Sequence, residues 1–469
     1  MNILHYFLGF PPFHAGGLMI YAKDLAQAQI SSGHKVTMLM PGQTDSQLKE
    51  STISFYKTIN NLPVYQIINS SLFSTEGISK PQTILQESFE ENYTHFLSEH
   101  AFDLIHIHSL IALPQSFIHA AKELQISCLF TSHDYYGLCP KVTLFDHNDT
   151  HCTDYQEGSK CVTCNAFVNH DFLTSKRNKT FSPLYLRSYA LYQHPLIQKR
   201  VGFLKKLLRK SNSLQPTQPI PLAQDYVSLR EHYIKLLTQI DMIHFNSSVA
   251  QETYGQLFDL NSVNHFVEAV THAKIQDHRT QTHKQTKETV SFAYMGYLDK
   301  KKGFIDLVKV LNELKAHSTP WHLSVYGDYS QLDLNDYDSK HYSFKGSYKL
   351  EDLNQIFKST DMLIIPSKWK ETFGFIGLEA YSHGVPSLVS SNVGFKDIVK
   401  HEQIGLIYQD DLLNQGLKSS LAHILENPNI LLKFHQNILK ENFTYTLNEH
   451  TLRLEGIYKQ IILEKKRAV

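Results

Sequence analysis

The sequence predicts two α/β domains, each with a parallel sheet, that face each other across a central cleft. Three observations predict this class. The 469 residues exceed what a single hydrophobic core usually serves. Short apolar runs alternate with amphipathic stretches in two separate series. A polar segment at 273–289 lies between the two series and is typical of a linker. The expected order is an N-terminal domain at 1–272, the linker, a C-terminal domain at 290–446 and a final helix at 447–469.

Buried apolar runs in the first series predict strands, and helical spacing between them predicts the crossover helices of a parallel sheet. Residues 246–248 (Asn-Ser-Ser) follow one of these runs and are typical of a helix cap. The expected strands are 2–9, 35–40, 63–68, 103–108, 127–132 and 241–245, and the expected helices are 18–32, 82–99 and 114–124.

The second series repeats the alternation, so it predicts a second parallel sheet. Ligands of such folds usually lie at the carboxyl ends of the strands, which here would face the cleft. The expected strands are 290–295, 322–326, 342–345, 361–365 and 386–389, and the expected helices are 304–316, 350–358, 373–383 and 412–425.

Composition narrows the function class. Hydrophobic residues make up 42% and charged residues 19%, which is typical of a globular enzyme. Lys+Arg and Asp+Glu number 45 each, and this balance argues against a nucleic-acid-binding protein. The sequence contains no run of 18 apolar residues that would predict a membrane-spanning helix, and its amino terminus lacks a positively charged leader. We therefore expect a cytoplasmic protein.

An insertion at about 139–235 interrupts the first series. Within it, residues 172–224 hold ten Lys or Arg and no Asp or Glu, mixed with Leu, Tyr and Phe. A basic amphipathic helix of this kind indicates a contact with an anionic membrane surface. The alternative is an ordinary insertion helix with a solvated basic face.

The strongest chemical signal is a pair of carboxylates eight residues apart. Glu371 follows the buried strand 361–365 and would face the cleft. A helix is expected to begin around Phe373, Gly374 and Phe375, whose free N–H groups can hold a diphosphate. Glu379 follows on the same helix, so the two carboxylates flank a phosphate site. The alternative is that Glu371 is a first-turn acid and Glu379 a surface residue.

A glycine turn followed by a lysine cluster precedes this signal in the chain, at 294–303. Lys302 at such a turn can neutralise a leaving diphosphate without a metal; the alternative is a solvated lysine at the start of a helix. Gly16 and Gly17 follow the first strand and would let the backbone approach a ligand closely, although a plain tight turn is equally compatible. Gly346 follows a short strand and is the weakest of these candidates.

His133 ends the predicted strand 127–132 and should therefore reach the cleft. It can donate a hydrogen bond to a ligand hydroxyl or stabilise charge in a transition state; the alternative is a buried structural histidine.

Four cysteines in the insertion could form a metal site. They are spaced C-x12-C-x8-C-x2-C, and four thiolates suit a tetrahedral structural zinc ion. Free buried thiols are the alternative, and a redox or iron–sulfur role is a weaker one. The cysteines are Cys139, Cys152, Cys161 and Cys164.

The two-glutamate stretch resembles the Glu-x7-Glu signature of family 4 retaining glycosyltransferases, which have the GT-B fold with two Rossmann-like domains. The resemblance is carried by Trp369, Glu371, Phe373–Gly374, Glu379–Ala380, Gly384–Val385–Pro386 and Gly394. It implies that Glu371 contacts the donor sugar, that Glu379 contacts the nucleotide ribose, and that Lys302 holds the diphosphate. Tyr297 departs from the pattern because the family usually has Arg there.

Further implications follow from the same resemblance. His133 would line the donor-sugar site, Gly16 and Gly17 would form the N-terminal glycine loop, and Gly346 would lie beside the nucleotide base. The strand 103–108, with its Asp-x-x-His-x-His pattern, would be mostly structural. The segment 447–469 would return to the N-terminal domain.

The expected function is therefore transfer of a sugar, with retention of its anomeric configuration, from a nucleoside-diphosphate sugar. A UDP-sugar is the favoured donor. The acceptor would be a saccharide or a lipid-linked molecule in polysaccharide or cell-envelope synthesis. Glu371, His133 and Lys302 would be catalytic, and no metal cofactor is expected for catalysis. The enzyme would be peripheral at the inner membrane face. The alternatives are a non-catalytic nucleotide-sugar-binding partner of another transferase and a sugar-nucleotide hydrolase or epimerase.

Overall fold

The structure is a computed structural model. It describes residues 1–10, 16–45, 47–48, 50–71, 75, 77–85, 90–166, 168, 221–281 and 288–467. Most of the basic segment 172–224, namely residues 172–220, lies outside the described residues. Part of the expected linker, 282–287, also lies outside them.

An eight-stranded sheet forms the N-terminal half, in the order β3-β4-β2-β1-β5-β6-β7-β8. All neighbouring strands are parallel except β3 and β4. That hairpin was not predicted, although Asn60 and Asn61 at its turn both have positive φ, as a two-residue turn requires. The strands are β1 (Asn2–Tyr6), β2 (Lys35–Pro41), β3 (Thr52–Ile59), β4 (Leu62–Ile68), β5 (Leu104–Ile107), β6 (Ser127–Ser132), β7 (Met242–Phe245) and β8 (Asn264–Val267).

Helices connect these strands. The helix expected over 82–99 is described in two helical parts, Gln82–Leu85 and Glu90–His100, and residues 86–89 between them lie outside the described residues. The cap at 246–248 is present: the Ser247 hydroxyl accepts a hydrogen bond from Ala250 N at 3.1 Å. The helices are α1 (Gly17–Ser31), α2 (Gln82–Leu85), α3 (Glu90–His100), α4 (Gln115–Glu123), α5 (Ser159–Asn165), α6 (Ala223–Leu237) and α7 (Ser248–Gly255).

The C-terminal half contains a six-stranded, fully parallel sheet in the order β11-β10-β9-β12-β13-β14. Its last strand was not predicted. The strands are β9 (Val290–Met295), β10 (Trp321–Tyr326), β11 (Tyr342–Gly346), β12 (Met362–Ile365), β13 (Ser387–Ser390) and β14 (Gly405–Tyr408). The helices are α8 (Phe304–Glu313), α9 (Leu353–Ser359), α10 (Phe375–Ser382), α11 (Lys396–Val399), α12 (Gln415–Glu426) and α13 (Asn429–Lys440).

The last helix, α14 (Leu447–Arg467), packs on the N-terminal sheet rather than on the domain that precedes it. The Tyr458 hydroxyl lies 2.6 Å from His106 Nδ1, and Lys465 Nζ lies 2.8 Å from Asp241 Oδ2. Leu454 and Tyr458 on this helix are fully buried. Among the described residues, none of the helices is both long enough and apolar enough to cross a membrane.

Candidate active site in the interdomain cleft

The centre of the site is an ion pair between two residues that the sequence singled out separately. Lys302 Nζ lies 2.8 Å from Glu371 Oε1, although 69 positions separate them in the chain. The Ser367 hydroxyl donates to Glu371 Oε2 at 2.6 Å. Trp369 lies beside the pair, with its ring centroid 5.4 Å from Lys302 Nζ. The two β-strand ends, β9 and β12, thus bring a cation and an anion to one point.

Gly303 fixes the position of Lys302. It has φ +73°, and a Cβ there would lie 1.8 Å from the carbonyl oxygen of Pro366. The loop is joined to the chain after β12 because Lys368 N donates to Lys301 O at 2.9 Å. Only glycine fits where these two segments meet. The loop that carries Lys302 (the lysine loop) and the loop that carries Glu371 are therefore positioned together.

The start of α10 lies beside the pair. Gly374 precedes the helix with φ +95°, and a Cβ there would lie 2.9 Å from Val393 and 3.9 Å from Glu371 Oε1. Phe373 is buried, whereas Phe375, the first residue of α10, is partly exposed and contacts the glycine loop. Helix N-termini carry unpaired N–H groups and favour anions, so this geometry suits a phosphate.

Glu371 is therefore not a first-turn residue of α10, because it lies before Gly374 and pairs with lysine. The alternative for Glu379 is also excluded: this residue is only 5% exposed and is not on the surface. Its Oε1 lies 3.2 Å from His272 Nε2, at the end of the N-terminal domain. Burial, and then the charge of Glu379, raise the pKa of Tyr348. Glu379 is therefore buried in the cleft, next to the rings of His272 and Tyr348.

His133 faces this region from the other domain. Its carbonyl oxygen accepts a hydrogen bond from the Thr372 hydroxyl at 3.0 Å, which places it next to Glu371 in space. Burial, with His244 and His450 nearby, lowers the pKa of His133 to about 3, so its ring is neutral near pH 7. Its buried Nε2 has no hydrogen-bond partner in the described part of the chain. A neutral imidazole can donate or accept one hydrogen bond here but supplies no charge.

Behind His133 lies a buried network of histidines. His5 Nδ1 lies 2.8 Å from His108 Nε2, and His5 Nε2 lies 2.7 Å from Gln29 Oε1. The ring nitrogens of His106 lie 2.6 Å from the Tyr458 hydroxyl and 2.7 Å from the Thr131 hydroxyl. These three histidines come within 4.8 Å of one another. Because His5 and His106 use both nitrogens in hydrogen bonds, we read the network as structural.

Contacts across the cleft converge on the segment after Glu371. Ser247 donates its hydroxyl hydrogen to the Thr372 carbonyl oxygen, and Asn246 Nδ2 lies 3.3 Å from the Thr372 hydroxyl. Ser248 Oγ lies 2.5 Å from Asp397 Oδ1. A Cβ at Gly17 would lie 2.8 Å from the ring of Phe375, so the N-terminal glycine loop meets the start of α10. These contacts join loops and helix starts of the two domains at the site.

The remaining predicted residues have no described contact with Lys302 or Glu371. Gly16 precedes α1 and is followed by Gly17 against Phe375. Gly346 ends β11, and its carbonyl accepts a hydrogen bond from Gly327 N at 3.0 Å. Tyr297 is 75% exposed, and no described contact of its ring joins it to Lys302 or Glu371.

Sequence reasoning missed three polar residues of the cluster: Ser367, His272 and Thr372. Ser367 stands four residues before Glu371 and two residues after the end of β12, which was a usable signal. His272 and Thr372 act through contacts with the other half of the chain, and no local pattern points to them.

Two sequence families match the chain, one on each side of the cleft. The family described as Glycosyl transferases group 1 matches residues 274–441. The family described as Glycosyltransferase Family 4 matches residues 15–155. The first match contains Lys302, Glu371 and Glu379, and the second contains His133 and the glycine loop.

Relatives of known sequence match over short stretches. An uncharacterized 41.2 kDa protein in the cps region of Klebsiella pneumoniae is 22% identical over 30% of this chain and 38% of its own length. An uncharacterized glycosyltransferase of Methanocaldococcus jannaschii is 41% identical over 13% of this chain and 16% of its own. The chain therefore spans well under half of the length of these relatives.

Solved structures match over nearly the whole chain. Sucrose-phosphate synthase from Thermosynechococcus elongatus has a TM-score of 0.58 at 16% identity, covering 99% of both chains. The Anabaena protein HepE in complex with UDP-glucose has a TM-score of 0.53 at 13% identity, covering 100% of both chains. At these identities the likeness concerns the fold. Together with the two sequence families, it shows that the chain belongs to the GT-B glycosyltransferases of the family 4 type.

Proposed function

We propose that this protein transfers a sugar, with retention of the anomeric configuration, from a nucleoside-diphosphate sugar to a saccharide or lipid-linked acceptor. UDP is the favoured nucleotide. The observation that carries the proposal is the Lys302–Glu371 pair beside the start of α10. It combines a cation for a leaving diphosphate with a carboxylate for the sugar that the diphosphate leaves.

The leaving group sets the first requirement. Negative charge grows on the diphosphate as the glycosidic bond breaks, and preorganised positive charge stabilises it most. Lys302 and the N–H groups at the start of α10 supply this charge from two directions. Glu371 holds Lys302 in place before the donor arrives, and Ser367 holds Glu371. In this proposal the chain's own groups stabilise the leaving group, and a catalytic metal is not required.

The sugar sets the second requirement. Positive charge grows on the ring as the leaving group departs, and the Glu371 carboxylate can orient the sugar hydroxyls and offset this charge. His133 adds a neutral hydrogen-bonding group from the opposite domain. The contacts through Thr372 keep the two domains closed around the site, which excludes water and so suppresses hydrolysis of the donor.

Glu379 is assigned to the nucleotide ribose. Its Oε1 faces His272, and a buried carboxylate offers further lone pairs that suit a ribose diol. Gly346 would lie beside the base. The choice of UDP is supported by the similar HepE structures, which contain UDP, UDP and glucose, or UDP-glucose.

The acceptor is assigned by context. A relative encoded in a cps region supports a role in surface polysaccharide synthesis. The basic segment 172–224 suits a lipid-linked acceptor at the inner membrane face, with the enzyme in the cytoplasm and peripheral to the membrane. Deleting its Lys and Arg residues should weaken binding to anionic vesicles at low salt; unchanged binding would exclude this contact.

Nucleotide binding tests the donor site. Calorimetric titration of the purified protein with UDP, GDP and ADP should show binding of UDP, and Glu379→Gln should weaken it at least tenfold. Glu426→Gln, which alters an exposed carboxylate at the end of α12, should leave binding unchanged. A protein that binds none of the three nucleotides would contradict the proposal.

Product analysis tests the chemistry. Incubation with UDP-sugars and a lipid-linked saccharide pool should yield a product with the donor's anomeric configuration. Glu371→Gln should abolish it while nucleotide binding persists. Nucleotide binding without any product from the wild-type protein would favour a non-catalytic partner subunit, a reading that the exposed Tyr297 in the usual Arg position supports. Release of free sugar at the same rate with and without acceptor would favour a hydrolase.

A further inference from the structure

Four of the five cysteines lie around one cavity beside the active site. We call the segment 136–166 the cysteine lobe; it follows the strand β6 and His133. Cys139, Cys152, Cys161 and Cys164 all line this cavity, whose volume is about 320 Å³ including open space at its mouth. In the structure no three of these four sulfur atoms lie within 4.8 Å of one another, so binding one common ion would require the thiols to move closer together. None of them forms a disulfide.

The lobe contains little regular structure that could hold it together. Its only helix is the seven-residue α5, and one isolated bridge joins Phe145 to His151. Non-glycine residues with positive φ are frequent in it, and such conformations persist only where the surroundings impose them. These residues are Val142, Leu144, Asp149, Gln156 and Glu157. A cross-link through the four thiols would add a constraint to such a segment.

The cysteines come from three parts of the lobe, so one ion could join all three. Cys139 belongs to the turn after β6, and Cys152 follows the Phe145–His151 bridge. Cys161 and Cys164 are three residues apart on α5, which places both on one face of the helix. Binding by all four would cross-link the turn, the bridge and the helix.

The surroundings suit a charged metal–thiolate centre. Lys160 and Arg230 line the same cavity together with Asp146. Lys160 Nζ lies 3.4 Å from Asp146 Oδ2, so of these two cations Arg230 is left to offset part of the negative charge of a divalent ion with four thiolates. His147 Nδ1 lies 3.3 Å from Cys164 Sγ, so this ring can donate a hydrogen bond to a ligand sulfur. Second partners of this kind orient thiolate ligands.

We propose that Cys139, Cys152, Cys161 and Cys164 bind one structural Zn²⁺ ion. Four sulfur ligands favour zinc over the hard cations Mg²⁺ and Ca²⁺, and a closed set of four protein ligands is typical of structural rather than catalytic zinc. Each ligating thiol releases one proton, so four protons leave when the ion binds.

The lobe also touches the donor side of the cleft, which gives the ion a consequence for the site. Asp149 Oδ2 lies 3.1 Å from Lys300 Nζ, two residues before Lys302. His151 lies close to Lys368 and Lys370, next to Glu371 in the chain. A metal-bound lobe would therefore hold Asp149 and His151 in place beside the lysines that neighbour Lys302 and Glu371. It would act on the site through these contacts and not on the reacting groups directly.

Metal analysis of the full chain tests the proposal. Inductively coupled plasma mass spectrometry should find about one zinc ion per chain in protein that is purified with a thiol reductant and without chelator. Cys161→Ser and Cys152→Ser should lose most of it. Cys128→Ala is the matched control: Cys128 is the fifth cysteine, lies in β6 and does not line the cavity. His147→Ala should also retain the ion.

A second measurement covers the case in which the serine variants fail to fold. Wild-type protein reconstituted with Co²⁺ should show thiolate-to-cobalt charge-transfer absorption, and added Zn²⁺ should remove it. Wild-type protein that binds neither ion under reducing conditions would overturn the proposal. So would iron with acid-labile sulfide in place of zinc, or loss of zinc in the Cys128→Ala variant alone.

Discussion

The Lys302–Glu371 pair shows how single residues acquire a role through a partner. Lys302 by itself is one of several lysines near a turn, and Glu371 by itself is an acid near a helix. At 2.8 Å they form one electrostatic unit next to the start of α10. Because the lysine already faces a carboxylate, its charge is oriented before a diphosphate binds, and little reorganisation is needed during the reaction.

At this scale we predict the effect of removing the cation. Lys302→Met should lower kcat by about 100- to 1000-fold, the usual effect of losing one group that stabilises a developing anion. Lys302→Arg should recover part of the loss, because it retains the charge with a different shape. Steady-state kinetics measure this, with the exposed Lys309→Met on α8 as control. Equal activity of Lys302→Met and the control would contradict the role.

The loop between β9 and α8 is the element that positions Lys302, and Gly303 is its critical residue. We predict that Gly303→Ala destabilises the protein by more than about 1 kcal/mol, because the left-handed backbone alone costs that much and Pro366 blocks the methyl group. Gly456→Ala on α14 should instead stabilise slightly, since nothing lies near its Cβ and alanine favours helices. Urea unfolding measures both. Equal effects of the two substitutions would contradict the argument.

The helix α14 is held to the N-terminal domain by Tyr458. Its hydroxyl lies 2.6 Å from His106 Nδ1 and accepts from Gln29 Nε2 at 3.2 Å. We predict that Tyr458→Phe destabilises by about 1–3 kcal/mol, because both partners remain buried without it. Leu452→Ala, at a 65% exposed position of the same helix, should change the free energy of unfolding by less than about 0.5 kcal/mol. A Tyr458→Phe effect no larger than the control's would argue against this anchoring role.

At the scale of the whole molecule, the buried histidines couple stability to pH. Burial lowers the pKa of His5 and His244 to about 4 and that of His133 to about 3, from an ordinary value of 6.5. As pH falls below 6.5, the unfolded chain gains protons that the folded chain does not, so the folded state loses stability. Each such histidine contributes about 1.4 kcal/mol per pH unit in this window.

Glu268 acts in the same direction at lower pH. Although burial opposes the shift, its hydrogen bond with His450 helps to lower its pKa to about 2. Its stabilisation is therefore present above 4.5 and is lost as pH falls towards 2. The histidines are tested at higher pH. Urea unfolding from about pH 7.5 to about pH 5 should show a free energy of unfolding that decreases steadily. A free energy that stays constant over this range would show that the histidines are solvated.

Much of the fold and of the site could be predicted from local patterns. The apolar strands of both sheets and the order of βα units follow from periodicity, because a strand buried on both faces must be apolar throughout. Lys302, Glu371 and Glu379 could be selected because phosphate and sugar chemistry needs those groups at strand and helix ends. The strands β3, β8 and β14 were missed; β3 and β8 are largely exposed and so lack the continuous apolar run of a buried strand.

The fold class, the two-sheet organisation and the residue types available for chemistry could be derived from local patterns, because these depend on neighbours within a few positions. Which of these residues meet became visible only in the folded chain. It paired Lys302 with Glu371, placed His272 on Glu379, tied His133 to the other domain through Thr372, and gathered four cysteines around one cavity. Such contacts join residues far apart in the chain, and they depend on side-chain packing between the two domains, which no local pattern encodes.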